Sequence, residues 1–120
     1  MIYDDHIHLR AHIKPPLPHD LAGIKKIAEE RGIVPGIREH PPLPAAYRLG
    51  EFKDFDYGMI IDEVDRFISL FEGSGIAMGL EADYFRGYED ELEKIINDMI
   101  SAAKARGIAI SGVNGSVHLL

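Results

Sequence analysis

Two histidines near the start of the chain, His6 and His8, have the spacing of two ligands of one metal ion. They lie in the segment from Ile2 to Leu9, whose alternation of apolar and polar residues predicts a β-strand. Residues two apart in a strand project to the same side, so both imidazoles could point at one cation. Two nearby histidines are by themselves more often solvent-exposed than metal-bound, so the interpretation depends on the rest of the chain.

A second candidate, Glu39-His40, follows a predicted strand over Ile33 to Ile37. Barrel enzymes assemble their sites at the carboxyl ends of such strands, which favours a ligand at this position. Standing alone, however, the pair would more simply be the polar start of a surface loop.

Carboxylates and one further imidazole appear beside later apolar runs. Glu81 and Asp83 lie two apart at the end of a predicted strand over Ile76 to Ala82, and Glu81 is the better candidate because it is nearer the apolar run. Exposed carboxylates at strand ends are nevertheless common. His118 lies in an apolar run at the end of the sequence, where a ligand and a structural role are about equally compatible with the residues alone.

Composition limits the chemistry of these candidates. The chain has 120 residues, which predicts one domain over residues 1–120, and 46% hydrophobic with 28% charged residues is typical of a folded globular protein. It contains no cysteine, so any metal must be bound by imidazole and carboxylate. The formal net charge of −7 disfavours nucleic acid and anionic membranes as partners. No signal peptide or membrane-spanning run is apparent, and we expect a cytoplasmic protein.

Short apolar runs alternate with segments of helical periodicity, which predicts an α/β fold with a mainly parallel sheet and about four βα units. Asp20 is placed to cap the first helix and Gly32 to end it, while Gly73 and Gly75 follow the second helix and Gly107 the third. Pro35 weakens the second predicted strand, because proline cannot donate to a central ladder. The apolar positions that predict the three helices are Leu21, Ile24, Ile27 and Ala28; Ile60, Ile61, Val64, Phe67, Ile68 and Phe71; and Leu92, Ile95, Ile96, Met99, Ile100 and Ala103.

Four segments, in this order, resemble the PHP phosphoesterases and specifically their histidinol-phosphatase branch. The resemblance extends over essentially the whole chain, and the third and fourth segments are more specific to the branch than the first, which other metal hydrolases share. The segments are Asp5-His6-Ile7-His8, Arg38-Glu39-His40-Pro41-Pro42-Leu43-Pro44, Gly79-Leu80-Glu81-Ala82-Asp83-Tyr84 and Gly115-Ser116-Val117-His118-Leu119-Leu120.

The resemblance implies up to three divalent metal ions, which could be zinc, manganese or iron. Imidazole and carboxylate ligands suit all three metals and do not select one of them. It implies that Glu81 is the bridging ligand, and Glu81 and His118 are our candidate catalytic residues. The family usually has another histidine in the loop after the first strand, for which His12 and His19 are candidates and His19 is slightly favoured. The implied ligands of one metal are His6, His8 and Glu81, and those of a second metal include Glu81 and His118. His40 would help to bind a third metal. His19 is the favoured candidate for the histidine of the loop.

The reaction implied is hydrolysis of a small phosphate monoester, histidinol phosphate to histidinol and phosphate, a step of histidine biosynthesis. The metals would orient the ester, lower the pKa of a bound water and stabilise charge during in-line attack at phosphorus. There are three alternatives to this function. The first is a PHP phosphoesterase that acts on nucleotides or nucleic-acid ends, and the second is a metal-binding or assembly module without catalysis. The third is an α/β binding module in which the histidines have no special role.

The implied fold is a distorted (β/α)7 barrel of which this chain would hold about four units. Later strands of the family supply further aspartate and histidine ligands, so the resemblance implies an incomplete site in these 120 residues and leaves open whether the chain is active on its own. It also implies open sheet edges, which a homo-oligomer would complete or cover.

Overall fold

A computed structural model describes residues 2–8, 20–46 and 64–116. Strands and helices alternate along these residues, and none of the helices within them is long and apolar enough to cross a membrane. The elements are β1 (Ile2–Ile7), α1 (Leu21–Arg31), β2 (Ile33–Ile37), α2 (Val64–Ser69), β3 (Met78–Asp83), α3 (Glu89–Ala105) and β4 (Ile110–Ser116).

The strands form two small parallel sheets, β1 with β2 and β3 with β4. Parallel bridges between Gly36 and Ala77 and between Glu39 and Leu80 join the sheets, so β2 lies beside β3. The parallel α/β class is therefore confirmed, in an open arrangement. Among the residues that the structure describes, no strand pairs with the outer edge of β1 or of β4. Because the strands are parallel, their carboxyl ends lie at one edge.

Helix α1 begins and ends at the predicted residues. Asp20 has an extended backbone, and its side chain accepts a hydrogen bond from the backbone N–H of Gly23. Gly32 has φ 64°, a left-handed conformation that glycine adopts without a steric penalty, and its N–H donates to the last turn of the helix. These caps place β2 directly after α1.

Replacing the capping residue tests the start of α1. Asp20→Ala is expected to cost about 1 kcal/mol of unfolding free energy, because a backbone N–H in the first turn loses its acceptor. Urea titration followed by circular dichroism measures the change. Asp20→Asn retains an acceptor and serves as the control, so equal stability of the alanine and asparagine variants would contradict the assignment.

Strand β2 forms despite Pro35, and the direction of its backbone N–H groups explains why. The N–H groups of Ile37 and Glu39 point toward β3, where they donate to the carbonyls of Ala77 and Gly79. Alternation places the nitrogen of Pro35 on the same side, yet the bridges to β3 begin only at Gly36. Pro35 therefore lacks its backbone N–H at a position where β2 is not yet paired with β3, so no hydrogen bond between these strands is lost.

The second and third helices agree in part with their predicted spans. α2 contains Val64, Phe67 and Ile68 of the predicted apolar stripe and ends before Phe71, and Ile60 and Ile61 lie outside the described residues. Gly73 and Gly75 have φ of 69° and 72° and form the exit toward β3. α3 is the longest described helix and ends before Gly107, as predicted. β4 is described as far as Ser116, so the predicted strand residues beyond it lie outside the described part of the chain.

The apolar core fixes which face of β3 carries polar groups. Met78 and Leu80 are completely buried in a cluster formed with α2 and α3. Alternation along the strand then places Gly79, Glu81 and Asp83 on the opposite face. The core residues are Ile37, Phe67, Ile68, Phe71, Ile76, Met78, Leu80, Met99, Ala103 and Ile108.

Candidate metal centre

A single carboxylate oxygen is the point at which three imidazoles converge. The Nε2 atoms of His6, His8 and His40 lie 3.0, 3.3 and 3.5 Å from Oε2 of Glu81. The contact with His6 is a hydrogen bond. Glu81 is only 5% exposed, so water does little to stabilise the negative charge of its carboxylate. The structure thus brings together four of the residues predicted from the sequence as metal ligands.

Backbone hydrogen bonds hold these ligands in register. The N–H of Arg38 donates to the carbonyl of Ile7 at 3.0 Å, which ties the end of β1 to the segment after β2. The N–H of Glu39 donates to Gly79 at 3.2 Å, and the N–H of Glu81 donates back to Glu39 at 2.8 Å. The positions of the ligands therefore depend on pairing among β1, β2 and β3.

The centre is open on the side of β1 and closed on the side of β2. The His6 side chain is 44% exposed and that of His8 23%, whereas that of His40 is 1% exposed. The rings of His6 and His8 lie 5.1 Å apart edge to face, and those of His8 and His40 are stacked at 5.3 Å. A ligand would reach the centre past His6.

The segment after β2 is buried, so the surface-loop alternative for Glu39-His40 is wrong. Residues 36–44 are buried throughout, although those after β2 form no regular helix or strand. Pro41, Pro42 and Pro44 have no backbone N–H, which reduces the number of polar groups that such a segment must satisfy in the interior.

Two further buried carboxylates lie near the Nδ1 atoms of His40 and His8. Asp83 Oδ2 lies 3.0 Å from Nδ1 of His40, and Glu39 Oε2 lies 3.7 Å from Nδ1 of His8. Each of these imidazoles therefore lies between one carboxylate at Nδ1 and Glu81 at Nε2. In the sequence Asp83 is a weaker candidate than Glu81, and Glu39 is a candidate only as a pair with His40. The strand spacing of residues 81 and 83 was the available signal, but it could not show burial.

The electrostatics of the centre favour a negative Glu81 and a positive His8. Burial by itself raises the pKa of the Glu81 carboxyl, but the hydrogen bond from His6 and the nearby imidazoles outweigh burial and hold that pKa below its ordinary value. Interaction with the Glu39 carboxylate holds the pKa of His8 above its ordinary value, against the opposing effect of burial. Protons and a cation would therefore compete for the nitrogens around Glu81.

The donor set fits a divalent cation. Ligand atoms of His6, His8 and Glu81 all lie within 4.8 Å of one another. Glu39, Glu81 and Asp83 bring three carboxylates into a region with little solvent, and buried charge of one sign requires compensation. Imidazole and carboxylate are ligands suited to zinc, manganese and iron.

A buried arginine, directly after β2, connects this part of the chain with β4. The Arg38 guanidinium donates to the hydroxyl of Ser111 and lies 3.4 Å from the Ser111 carbonyl oxygen. It passes directly over Gly79 and close to Gly112, which have no side chains to obstruct it. The guanidinium therefore lies under the ligand-bearing part of β3.

The remaining predicted ligands, His118, His19 and its alternative His12, lie outside the residues that the structure describes. The predicted second metal, which depends on His118, and the predicted loop ligand stay predictions.

Comparison of the chain with protein-family models, with curated proteins and with solved structures finds no significant match in any of the three.

Proposed function

We propose that the chain is a metal-dependent phosphate monoester hydrolase of the histidinol-phosphatase type within the PHP family. The observation that supports the proposal best is the convergence of His6, His8 and His40 on Glu81. These residues come from three of the four segments that resemble the family. They lie at the edge of a parallel strand arrangement where α/β enzymes place their sites.

The fold supports the same proposal. The strands follow one another in the order β1, β2, β3 and β4, all parallel, with helices in the connections. Neighbouring strands of a β/α barrel have this order and direction. We therefore propose that the four strands correspond to consecutive strands of a PHP barrel.

The residues of the centre have separate roles in the proposal. Bound divalent metals would supply Lewis acidity and an activated water for attack on phosphorus. His6, His8 and Glu81 would hold a cation, and the exposure of His6 leaves the approach for a phosphate ester on its side. Glu81 stays ionised at neutral pH because its pKa lies below the ordinary value.

Phosphate release from a panel of esters tests the proposal. The purified chain, loaded separately with zinc, manganese and iron, is given histidinol phosphate, nucleoside monophosphates and an aryl phosphate. We expect metal-dependent release with a preference for histidinol phosphate, lost after chelation and absent from a His6→Ala, His8→Ala double variant.

The other outcomes of this assay are equally informative. Preference for a nucleotide would contradict the histidinol-phosphatase branch and favour another PHP phosphoesterase. Metal uptake without release from any ester would contradict catalysis by this chain and leave a metal-binding module.

A further inference from the structure

Strand β4 carries a polar side chain at the level of Glu81. In the parallel pairing of β3 with β4, the residue opposite Glu81 is Asn114. Paired residues of neighbouring parallel strands project to the same side of a sheet, so the side chain of Asn114 lies on the side that carries the candidate metal centre. The register of β4 therefore places an amide group beside the carboxylate on which the imidazoles converge.

Two glycines support this direction independently of the register. A Cβ atom at Gly79 would overlap the Arg38 guanidinium, and a Cβ atom at Gly112 would lie 3.3 Å from the same group. Positions 79 and 112 therefore face one side of the sheet. Because side chains alternate along a strand, Glu81 and Asn114, each two residues further on, face that side as well.

The amide oxygen of Asn114 is enclosed without a hydrogen-bond donor. The residue as a whole is half-buried, but its Oδ1 atom is shielded from solvent and accepts no hydrogen bond from any residue in the described part of the chain. Buried polar atoms in folded proteins nearly always have a partner, and a bound water or ion is one of the few explanations for those that have none in the protein. The position of Oδ1 thus points to a ligand.

The neighbouring groups favour a cation at this oxygen. An ionised carboxylate has only acceptor atoms, so Glu81 cannot donate to the amide oxygen of Asn114. Ligand atoms of His6, His8 and Glu81 lie within 4.8 Å of one another, and a cation held by them would lie beside the same carboxylate. Carbonyl oxygens, like carboxylates, are ligands suited to manganese.

We infer that Asn114 supplies its amide oxygen as a further ligand to the cation held by His6, His8 and Glu81, so that β4 contributes to the metal centre. The inference rests on the proposed metal-dependent function and goes beyond it by adding a neutral oxygen ligand from a fourth strand. With this oxygen bound to the cation, the buried acceptor has a partner and Glu81 has no unfavourable neighbour.

The alternative is a structural role in which the amide nitrogen of Asn114 donates to Glu81. Two substitutions separate the oxygen from the nitrogen. Asn114→Leu has a similar size but neither group, whereas Asn114→Asp keeps an oxygen and lacks the N–H donors. If the oxygen is the functional group, only the leucine variant should lose metal. If the nitrogen is the functional group, both variants should be impaired.

Nitrogen-15 NMR of the wild-type protein gives the first result. The sequence contains two asparagines, Asn97 and Asn114, and no glutamine, so the spectrum holds only two side-chain amide signals, which an Asn97→Asp variant assigns. Manganese below one equivalent broadens the signals of nuclei near it, and the effect falls steeply with distance. We expect the Asn114 signal to disappear while that of Asn97, exposed on α3, remains. Equal behaviour of the two signals would overturn the inference even if no variant folds.

Manganese affinity gives the second result, measured from the electron paramagnetic resonance signal of the unbound ion. We expect Asn114→Leu to bind manganese at least about 10-fold more weakly than the wild type, and Asn114→Asp to bind it at least as tightly. Asn97→Leu, the same change at the exposed asparagine of α3, is the matched control and should bind manganese normally.

Urea unfolding without metal distinguishes a ligand from a structural group. Removing a buried acceptor that has no partner costs no hydrogen bond, so metal-free Asn114→Leu should unfold at the same urea concentration as the wild type or at a higher one. A lower urea midpoint together with wild-type manganese affinity would establish the structural role and overturn the inference. Equal loss of manganese in Asn114→Leu and Asn114→Asp would also overturn it.

Failure of the proposed function has a different signature. A chain that binds manganese with the expected dependence on Asn114 but hydrolyses no phosphate ester would retain this ligand while contradicting the phosphatase assignment. Metal-dependent phosphate release by a chain whose Asn114→Leu variant binds manganese normally would do the reverse.

Discussion

Glu81→Gln is expected to leave the protein with almost no bound metal. The Oε2 atom of Glu81 is the point on which three imidazole nitrogens converge, within 3.5 Å. Glutamine retains the shape of the side chain but removes the negative charge that attracts a cation. Loss of a carboxylate that supports a ligand costs about 10- to 100-fold in affinity, and loss of a direct carboxylate ligand should cost more.

Metal content after reconstitution measures this effect. Protein without a histidine tag is incubated with zinc, desalted and analysed by mass spectrometry of the elements. Glu30→Gln, on the exposed side of α1, is the matched control and should retain wild-type metal content. The His6→Ala, His8→Ala double variant should resemble Glu81→Gln. Equal metal in all four proteins would rule out the centre.

Gly79→Ala is expected to destabilise the fold by about 3 kcal/mol, the upper part of the usual range for overpacking. A Cβ atom at Gly79 would lie 2.6 Å from the Ile37 carbonyl oxygen and 2.6 Å from Oγ of Ser111, and it would overlap the Arg38 guanidinium. The Ile37 carbonyl belongs to β2 and cannot move away without disturbing the pairing of β2 with β3. The buried guanidinium would also lose its place over the glycine.

Urea unfolding of the metal-free proteins measures the loss. Gly115→Ala in β4 is a control of the same type, because a Cβ there meets no heavy atom within 4 Å. Its stability should stay within about 0.5 kcal/mol of the wild type. If Gly79→Ala unfolds at the same urea concentration as Gly115→Ala, the result would contradict the close packing of the Arg38 side chain against Gly79 of β3.

Local features of the sequence predicted the order of strands and helices and both ends of α1. Capping by Asp20 and termination at Gly32 depend on residues within one turn of the helix, and both are confirmed. The alternation that places His6 and His8 on one side of a strand is equally local. These features fixed the order of elements and the edge at which the ligands meet.

Contacts between distant residues were not predictable in the same way. The Arg38 side chain reaches Ser111, 73 residues away, because the intervening position on β3 is a glycine. Asp83 and Glu39 are indistinguishable in sequence from exposed carboxylates at strand ends, and only the fold shows that they are buried behind imidazoles. Burial and side-chain direction depend on how strands pair, which no single segment determines.

The distance along the chain between the ligands has a consequence for folding. His6 and Glu81 are 75 residues apart, so a cation bound by both would cross-link the first and third strands much as a long-range disulfide would. A short peptide containing only His6 and His8 would lack the carboxylate that completes the centre. Because a ligand that binds only the native state stabilises it, the free energy of unfolding would rise with the concentration of metal.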